Sequence, residues 1–348
     1  MSFRALPGLT ALLAIALVST PVSANPAAPA TVSGRTIEAV SKASTRQIAL
    51  GVSMLPFDSP DTYAGFKASV GTAPAVWSVW ADWADGNSSF PTDVVNQLRA
   101  DGTVPLIFWQ PVGTGRPLGH PTAPPLQESC GVDYSKIIGG KWDNYIHQWA
   151  QQAVGEGPIL VRFAHEMDGG WFPFGVTRCQ NTADKFKTMW KHVVKIFRAE
   201  GATNVKFVWS PLNASTKAKT LYPGNKWVDY VGFTSFNWGS YKNASWKNMI
   251  TGVKSVTNGL KSYAGTKPWI LAETGSIPTE PGHSRPSWLT TGYNAIYSQI
   301  PNIKIIMYFN VDMTNLAHHQ PNWQLNTAAD LNAYKSLLSS KKFQGKVN

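Results

Sequence analysis

The sequence predicts a (β/α)8 barrel, the TIM-barrel member of the α/β class. Short apolar runs of β-like composition alternate with longer amphipathic stretches, the runs number eight, and the alternation continues through most of the 348 residues. An open, doubly wound sheet is the alternative arrangement of such units. It is disfavoured because no G-x-G-x-x-G turn follows the first run.

Eight runs rich in aliphatic, β-branched and aromatic residues are predicted to form the strands. In chain order they span 48–54, 73–83, 104–111, 159–166, 205–211, 228–236, 268–276 and 303–310. Most are apolar almost throughout, which is typical of parallel strands that are covered on both faces.

Helix start and stop signals stand between several of these runs. Segment 91–102, PTDVVNQLRADG, has Pro and Asp near its start and Gly at its end. Segment 181–201 repeats this pattern, and its apolar residues recur at spacings of three and four that form one helix face: Phe186, Met189, Trp190, Val193, Val194 and Phe197. Segments 244–265, 284–301 and 327–340 are predicted to be helices on the same grounds.

The chain divides into three predicted parts. Residues 1–24 contain one arginine, an apolar stretch of about a dozen residues and a V-S-A ending, which is the pattern of a secretory signal peptide. That stretch is shorter than the roughly 20 residues of a membrane-spanning helix. Residues 25–46 are small, polar and proline-containing, so we expect a flexible lead-in, with a single barrel domain over residues 47–348. The expected protein is secreted and has no membrane partner.

Basic side chains outnumber acidic ones, 31 to 20, which gives a formal net charge of +11. They are spread along the chain without a basic cluster or a nucleic-acid motif, so we expect no nucleic-acid partner. A basic surface is compatible with residence near an anionic wall or polysaccharide.

Two cysteines, Cys130 and Cys179, stand in segments rich in Gly, Pro and polar residues. In an oxidising compartment they can form a disulfide, and two cysteines cannot build a structural zinc site. We expect the disulfide, and two free buried thiols are the alternative.

Two glutamates stand at the ends of predicted strands. Glu166 ends the fourth run, inside RFAHEMDGGWFPFG (162–175), and Glu273 ends the seventh. Either one alone could form a structural ion pair, for example with Arg162. Because active sites of (β/α)8 barrels lie at the carboxyl ends of the strands, two glutamates at matching ends favour a catalytic role.

Paired carboxylates beside aromatic residues are typical of glycoside hydrolysis. One carboxyl group must be protonated to assist the leaving oxygen, while the other must be ionised to attack the anomeric carbon or activate water. Aromatic rings offer flat apolar faces to sugars, and six tryptophans stand near predicted strand ends or in the adjoining segments: Trp80, Trp83, Trp109, Trp171, Trp209 and Trp238.

Other chemistries lack their motifs. A zinc H-E-x-x-H motif would need a second histidine where Gly169 stands, and neither a G-x-S-x-G nor a Walker A sequence occurs. We therefore expect no metal and no cofactor.

The order of several motifs resembles glycoside hydrolase family 26. RFAHEMDGGWFPFG is similar to the family's acid/base signature, R-x-x-H-E-M-N-G followed by W-Y-P-W, and ILAETGS is similar to its nucleophile strand. Between them, GATNVKFVWSP, YPGNKWVDYVGF and NWG match the family's next block. The resemblance runs from about Leu50 to Asn310. The best known members are endo-β-1,4-mannanases, which are retaining barrel enzymes.

The resemblance implies that Glu166 is the acid/base and Glu273 the nucleophile. His165 falls where related enzymes carry an asparagine that orients the substrate or nucleophile. Trp171 and Phe174 match an aromatic pair beside the cleft. The full set expected to bind substrate is Trp109, Arg162, His165, Asp168, Trp171, Phe174, Phe236 and Trp238.

Three positions near the implied site depart from the family pattern. Asp168 replaces an asparagine, and Gln110 replaces the glutamate of a W-E-P motif. Phe236 stands where the family has a tyrosine whose hydroxyl is expected to contact the nucleophile. Both glutamates are nevertheless present.

The expected protein is a secreted, monomeric, retaining endo-glycosidase whose partner is a β-linked polysaccharide. β-1,4-Mannan is the first choice of substrate. Lichenase, β-1,3-xylanase and hydrolysis of an acidic exopolysaccharide are alternatives within the same class. A non-catalytic carbohydrate-binding protein is the alternative from a different class.

Overall fold

Eight parallel strands close into a barrel in chain order, which confirms the predicted fold class. The structure is a computed structural model that describes residues 46–54, 60–83, 88–112, 133–177, 180–315 and 320–347. The strands are β1 Ala49–Ser53, β2 Val76–Asp82, β3 Val104–Gln110, β4 Ile159–Phe163, β5 Val205–Trp209, β6 Tyr230–Asn237, β7 Trp269–Ser276 and β8 Ile303–Phe309. All eight overlap the predicted runs, but β4 ends three residues before Glu166.

Helices cover the outside of the barrel. They are α1 Pro60–Val70, α2 Thr92–Ala100, α3 Tyr134–Ile138, α4 Asp143–Ala153, α5 Ala183–Ala199, α6 Thr216–Thr220, α7 Met249–Ala264, α8 Arg285–Gln299 and α9 Ala328–Ser339. The five predicted helices correspond to α2, α5, α7, α8 and α9. Side-chain caps fix the start of α5, where Thr182 accepts from the Lys185 amide, and of α9, where Thr327 accepts from the Asp330 amide.

Alternation along the strands divides the core into two layers. Inward-facing side chains fill the barrel, among them Val76, Leu106, Leu160, Ile270 and Met307, whereas outward-facing ones pack against the helices. Gly51 permits close packing inside the barrel, because a Cβ at this position would lie 2.2 Å from the Met307 sulfur.

Most of the predicted lead-in lies outside the described residues, as does the predicted signal peptide. Arg46, the last residue of the lead-in, donates hydrogen bonds to the carbonyl oxygens of Tyr297, Ile300 and Ile303. Cys130 and Cys179 also lie outside the described residues, so the disulfide stays a prediction. Within the described ranges, no helix has the length and apolar character needed to cross a membrane.

Candidate active site

The turn that carries Glu166 follows β4 directly. Both Ala164 and Glu166 have positive φ angles, 42° and 50°, in a region that non-glycine residues rarely occupy. Such backbone strain costs of order 1–3 kcal/mol and is common at functional sites. Two hydrogen bonds support the turn: the Ala164 amide donates to the Trp109 carbonyl at 3.1 Å, and the Glu166 amide donates to the Ser210 carbonyl at 2.7 Å.

A β-bulge in β7 directs Glu273 into the barrel. Phe233 of β6 pairs with Leu271, but the next residue of β6, Thr234, pairs with Glu273, so β7 contains one extra residue, Ala272. Ala272 packs inside the barrel, and the Glu273 carboxylate also reaches an inward-facing partner, Arg162. The bulge thus places two successive side chains on the same face, which regular alternation forbids.

Arg162 lies buried beneath the mouth of the barrel and pairs with Glu273. Its Nη1 donates to Glu273 Oε2 at 2.9 Å, and its Nε donates to Ser210 Oγ at 3.0 Å. The guanidinium carbon also lies 4.6 Å from the ring centroid of Phe108. The Arg162 side chain is fully buried and binds the Glu273 carboxylate, so its contact with substrate stays a prediction.

Glu166 is buried and accepts a hydrogen bond from a neutral indole, whereas Glu273 accepts one from the charged Arg162. Burial, followed by the nearby charge of Glu273, raises the pKa of Glu166 to about 8, although Arg162 and the indole of Trp171 act in the opposite direction. Glu166 is 9% exposed. At neutral pH it is therefore mainly protonated, beside a carboxylate that is ion-paired.

Trp171 connects the candidate acid to the cleft. Its Nε1 donates to Glu166 Oε2 at 3.0 Å, yet 38% of the residue remains exposed. Gly169 leaves room for the indole, because a Cβ at position 169 would lie 2.7 Å from the ring. Part of the indole is therefore accessible while it binds Glu166, and its contact with substrate stays a prediction.

His165 lies almost wholly buried among aromatic rings. Its imidazole makes edge contacts with Trp80, Phe108 and Phe172 at centroid distances of 5.4, 5.1 and 4.6 Å. Burial, followed by the charge of Arg162, holds the pKa of His165 well below its usual range. His165 is thus a neutral part of the site wall.

The side chains of Phe174 and Trp109 are both fully buried, and their contact with substrate stays a prediction. Phe174 stacks on Phe172 with centroids 4.9 Å apart and supports the loop after β4 from beneath. Trp109 faces the helices and packs against Trp149. Strand alternation explains this, because in β3 the neighbouring residue Phe108 faces the barrel interior.

Asp168 connects two loops at the rim. Its Oδ1 accepts from the Leu212 amide at 2.8 Å, and its carbonyl oxygen accepts from Lys217 Nζ at 2.7 Å. Burial raises the pKa of its carboxyl group. The structure thus assigns Asp168 a role in joining the loops after β4 and β5; its contact with substrate stays a prediction.

Phe236 and Trp238 form a second aromatic wall near the end of β6. Phe236 is half-buried, packs against Trp323 at 4.8 Å, and lies opposite Gly275 of β7. Trp238, also half-buried, stacks on Tyr241 at 5.8 Å. Both residues are thus partly accessible at the carboxyl end of β6, and their contact with substrate stays a prediction.

Asp82 is a candidate site residue that the sequence analysis missed. It ends β2, faces the barrel and accepts a hydrogen bond from Gln110 Nε2 at 3.0 Å. Burial raises its pKa to about 7. The alternation of Trp80 and Asp82 at the end of an apolar run was the signal that could have identified it.

The described part of the chain contains no evident set of metal ligands. No cluster of three or more His, Cys, Asp or Glu side chains there could hold an ion. The two glutamates are suited to proton transfer by one carboxyl group and nucleophilic attack by the other.

A (β/α)8 barrel with paired glutamates after β4 and on β7, bordered by aromatic side chains, is the architecture of barrel glycoside hydrolases. The family model described as "Glycosyl hydrolase family 26" matches residues 122–273, a segment that contains both glutamates. Residues 122–273 thus match glycosyl hydrolase family 26.

Curated relatives are also glycoside hydrolases by name. Endoglucanase H of Acetivibrio thermocellus is 30% identical over 214 residues, which are 59% of this chain and 23% of that protein. A mannan endo-1,4-beta-mannosidase of Bacillus subtilis is 26% identical over 180 residues, 48% of this chain and 45% of the relative. The chain thus matches less than half the length of each.

Solved structures show the same fold. A GH26 beta-mannanase from Bacteroides ovatus superposes with a TM-score of 0.60 at 17% identity, covering 86% of this chain and 90% of that one. Bacillus subtilis mannanase man26 gives a TM-score of 0.57 at 17% identity, with coverages of 87% and 88%.

Proposed function

We propose that the protein is a secreted, retaining endo-glycosidase that hydrolyses a β-linked polysaccharide, with β-1,4-mannan as the first substrate. One observation carries the proposal: the two neighbouring glutamates have opposite environments. Glu166 is buried with a pKa raised to about 8, whereas Glu273 accepts a charge-assisted hydrogen bond from Arg162. One is suited to donate a proton, and the other to attack as a carboxylate.

In the first step, a Glu273 oxygen forms a bond to the anomeric carbon while the bond from that carbon to the glycosidic oxygen breaks. Glu166 gives its proton to the departing oxygen, which leaves as an alcohol. The product is a glycosyl ester of Glu273, as in retaining glycosidases. Arg162 stays beneath the carboxylate and fixes its orientation.

In the second step, Glu166 removes a proton from water, and the water oxygen attacks the anomeric carbon. The ester bond breaks and Glu273 leaves as a carboxylate. The change of role follows from electrostatics: once Glu273 is esterified, its charge no longer raises the pKa of Glu166. Glu166 then releases its proton more readily and can act as a base.

The choice of mannan is supported by relatives that are named mannan endo-1,4-beta-mannosidase, and by the aromatic walls formed by Trp171, Phe236 and Trp238. A β-glucan such as lichenan is the second candidate, because the relative that matches over 214 residues is named an endoglucanase. Secretion is supported by the signal-peptide pattern of residues 1–24.

Reducing-sugar release from a polysaccharide panel tests this proposal. The panel contains galactomannan, glucomannan, lichenan, β-1,3-xylan and an acidic exopolysaccharide, with Glu273→Ala as the inactive control. We expect the mannans to be cleaved fastest. Fastest cleavage of lichenan would support the second candidate, and binding without any cleavage would contradict hydrolysis.

A further inference from the structure

Ser210 is linked to both glutamates, to Glu273 through Arg162 and to Glu166 directly. It follows β5 directly and is fully buried. Its hydroxyl accepts from Arg162 Nε at 3.0 Å, and Arg162 in turn binds Glu273. Its backbone carbonyl accepts from the Glu166 amide at 2.7 Å. A single residue thus reaches the candidate nucleophile through its side chain and the candidate acid/base through its main chain.

We propose that Ser210 is a positioning residue that sets the relative placement of the two glutamates. This inference rests on the proposed function, because a fixed separation between the carboxyl groups matters only if they act on the same bond. Small misplacement of reacting groups can cost about a hundredfold in rate. A shared anchor reduces independent movement of the two groups.

The side-chain contact orients Arg162. The guanidinium group is held by Ser210 through Nε, by Glu273 through Nη1 and by the ring of Phe108. Its Nη2 has no hydrogen-bond partner among the described residues. Loss of the Ser210 hydroxyl would therefore leave Glu273 as the one hydrogen-bonding side chain on this guanidinium in the described structure, so the pair could shift together.

The main-chain contact stabilises the strained turn at Glu166. With φ at 50°, this residue needs external support, and the hydrogen bond to the Ser210 carbonyl is its shortest backbone bond. Substitution of the Ser210 side chain leaves the carbonyl in place. The two contributions can therefore be separated by mutation.

Gly232 of β6 leaves the space that Ser210 occupies. A Cβ at position 232 would lie 2.7 Å from Ser210 Oγ and 2.8 Å from its Cβ. Gly232→Ala should therefore displace the Ser210 side chain without touching either glutamate, and it offers a second, independent perturbation.

The test compares Ser210→Ala with Ser78→Ala. Ser78 is also a fully buried strand serine, but its hydroxyl has no hydrogen-bond partner among the described residues. For Ser210→Ala we expect kcat on galactomannan to fall by about 10- to 100-fold, with KM changed less than about threefold. Ser78→Ala should keep the wild-type kcat and KM, and Gly232→Ala should follow Ser210→Ala.

A measurement independent of turnover follows the Arg162 Nε–H by NMR of arginine-labelled protein. Its exchange with solvent should be slow in the wild type and faster in Ser210→Ala. Unchanged exchange together with unchanged kcat in a folded Ser210→Ala would overturn the inference. An equal loss of kcat in Ser78→Ala would show a general packing effect and overturn it too. If the wild type cleaves no polysaccharide, the proposed function fails, and the exchange result still decides whether Ser210 fixes Arg162.

Discussion

Arg162 and Glu273 form a buried ion pair across the barrel interior, with Nη1 and Oε2 2.9 Å apart. Burial of both charges carries a desolvation cost that is offset only while the pair is intact. The pair sets the Glu273 carboxylate against a fixed positive charge inside the barrel, an arrangement that suits its proposed role as nucleophile. The proposed function, in which Glu273 is the nucleophile, gives this pair a role besides stability.

Loss of Arg162 should damage both stability and activity. Arg162→Met leaves Glu273 buried and unpaired, so we expect the free energy of unfolding to fall by about 3 to 5 kcal/mol and kcat to fall by at least about 100-fold. The double variant with Glu273→Leu removes both charges and should recover much of the stability. Urea unfolding measures this; a double variant no more stable than the single one would contradict the account.

The raised pKa of Glu166 predicts an alkaline limb near pH 8. Its protonated form donates to the leaving group, so kcat/KM should fall as the pH rises through about 8. The raised pKa of Glu166 also makes the free energy of unfolding depend on pH. Between its ordinary value of 4.5 and about 8, the folded protein keeps a proton that the unfolded chain has released, so stability decreases as pH rises.

Glutamine is neutral at every pH, so Glu166→Gln should not lose stability as the pH rises. Its melting temperature should match that of the wild type near pH 4 and exceed it by several degrees at pH 8. Thermal melts across this range measure the difference. A constant difference at all pH values would show that Glu166 is not the titrating group.

The fold class was predictable from the sequence because it depends on the number and spacing of the eight apolar runs. Errors of a few residues in the bounds of each run do not change that number. Side-chain direction was less predictable. Trp109 stands beside two inward-facing residues of β3, and a shift of one residue reverses its face. Glu273 faces inward only because Ala272 forms a bulge, a local register change that the apolar run ILAETGS does not reveal. The hydrogen bonds that Arg162 makes with Ser210 and Glu273 join residues far apart in the sequence. They form only when the barrel closes, so the sequence alone does not reveal them.

The indole of Trp171 lowers the pKa of Glu166 through its hydrogen bond. Trp171→Phe keeps an aromatic face but loses the donor, so the alkaline limb should move to higher pH. Trp109→Phe is the matched control, since it removes a buried indole that faces the helices; it should lower stability and leave the limb in place. A limb that stays in place in Trp171→Phe would show that the bond does not act in the enzyme.

Phe236→Tyr should change activity by less than about threefold, or less than about 0.7 kcal/mol in the barrier. The tyrosine expected from the family resemblance would supply a donor to Glu273, but Arg162 already donates to that carboxylate. The pH–rate profile of Phe236→Tyr on galactomannan is the measurement. A large gain in kcat would show that the Arg162 contact does not compensate for the missing hydroxyl.

Azide rescue tests the division of labour between Glu166 and Glu273 most directly. The substrate is an aryl β-mannobioside with a good leaving group, and the anomeric form of the azide product is read by NMR. In Glu166→Ala the nucleophile still forms the glycosyl ester, so azide should attack it and give the β-glycosyl azide. In Glu273→Ala azide should occupy the place of the missing carboxylate, attack once with inversion and give the α-glycosyl azide. The same azide anomer from both variants would contradict the assignment of acid/base and nucleophile.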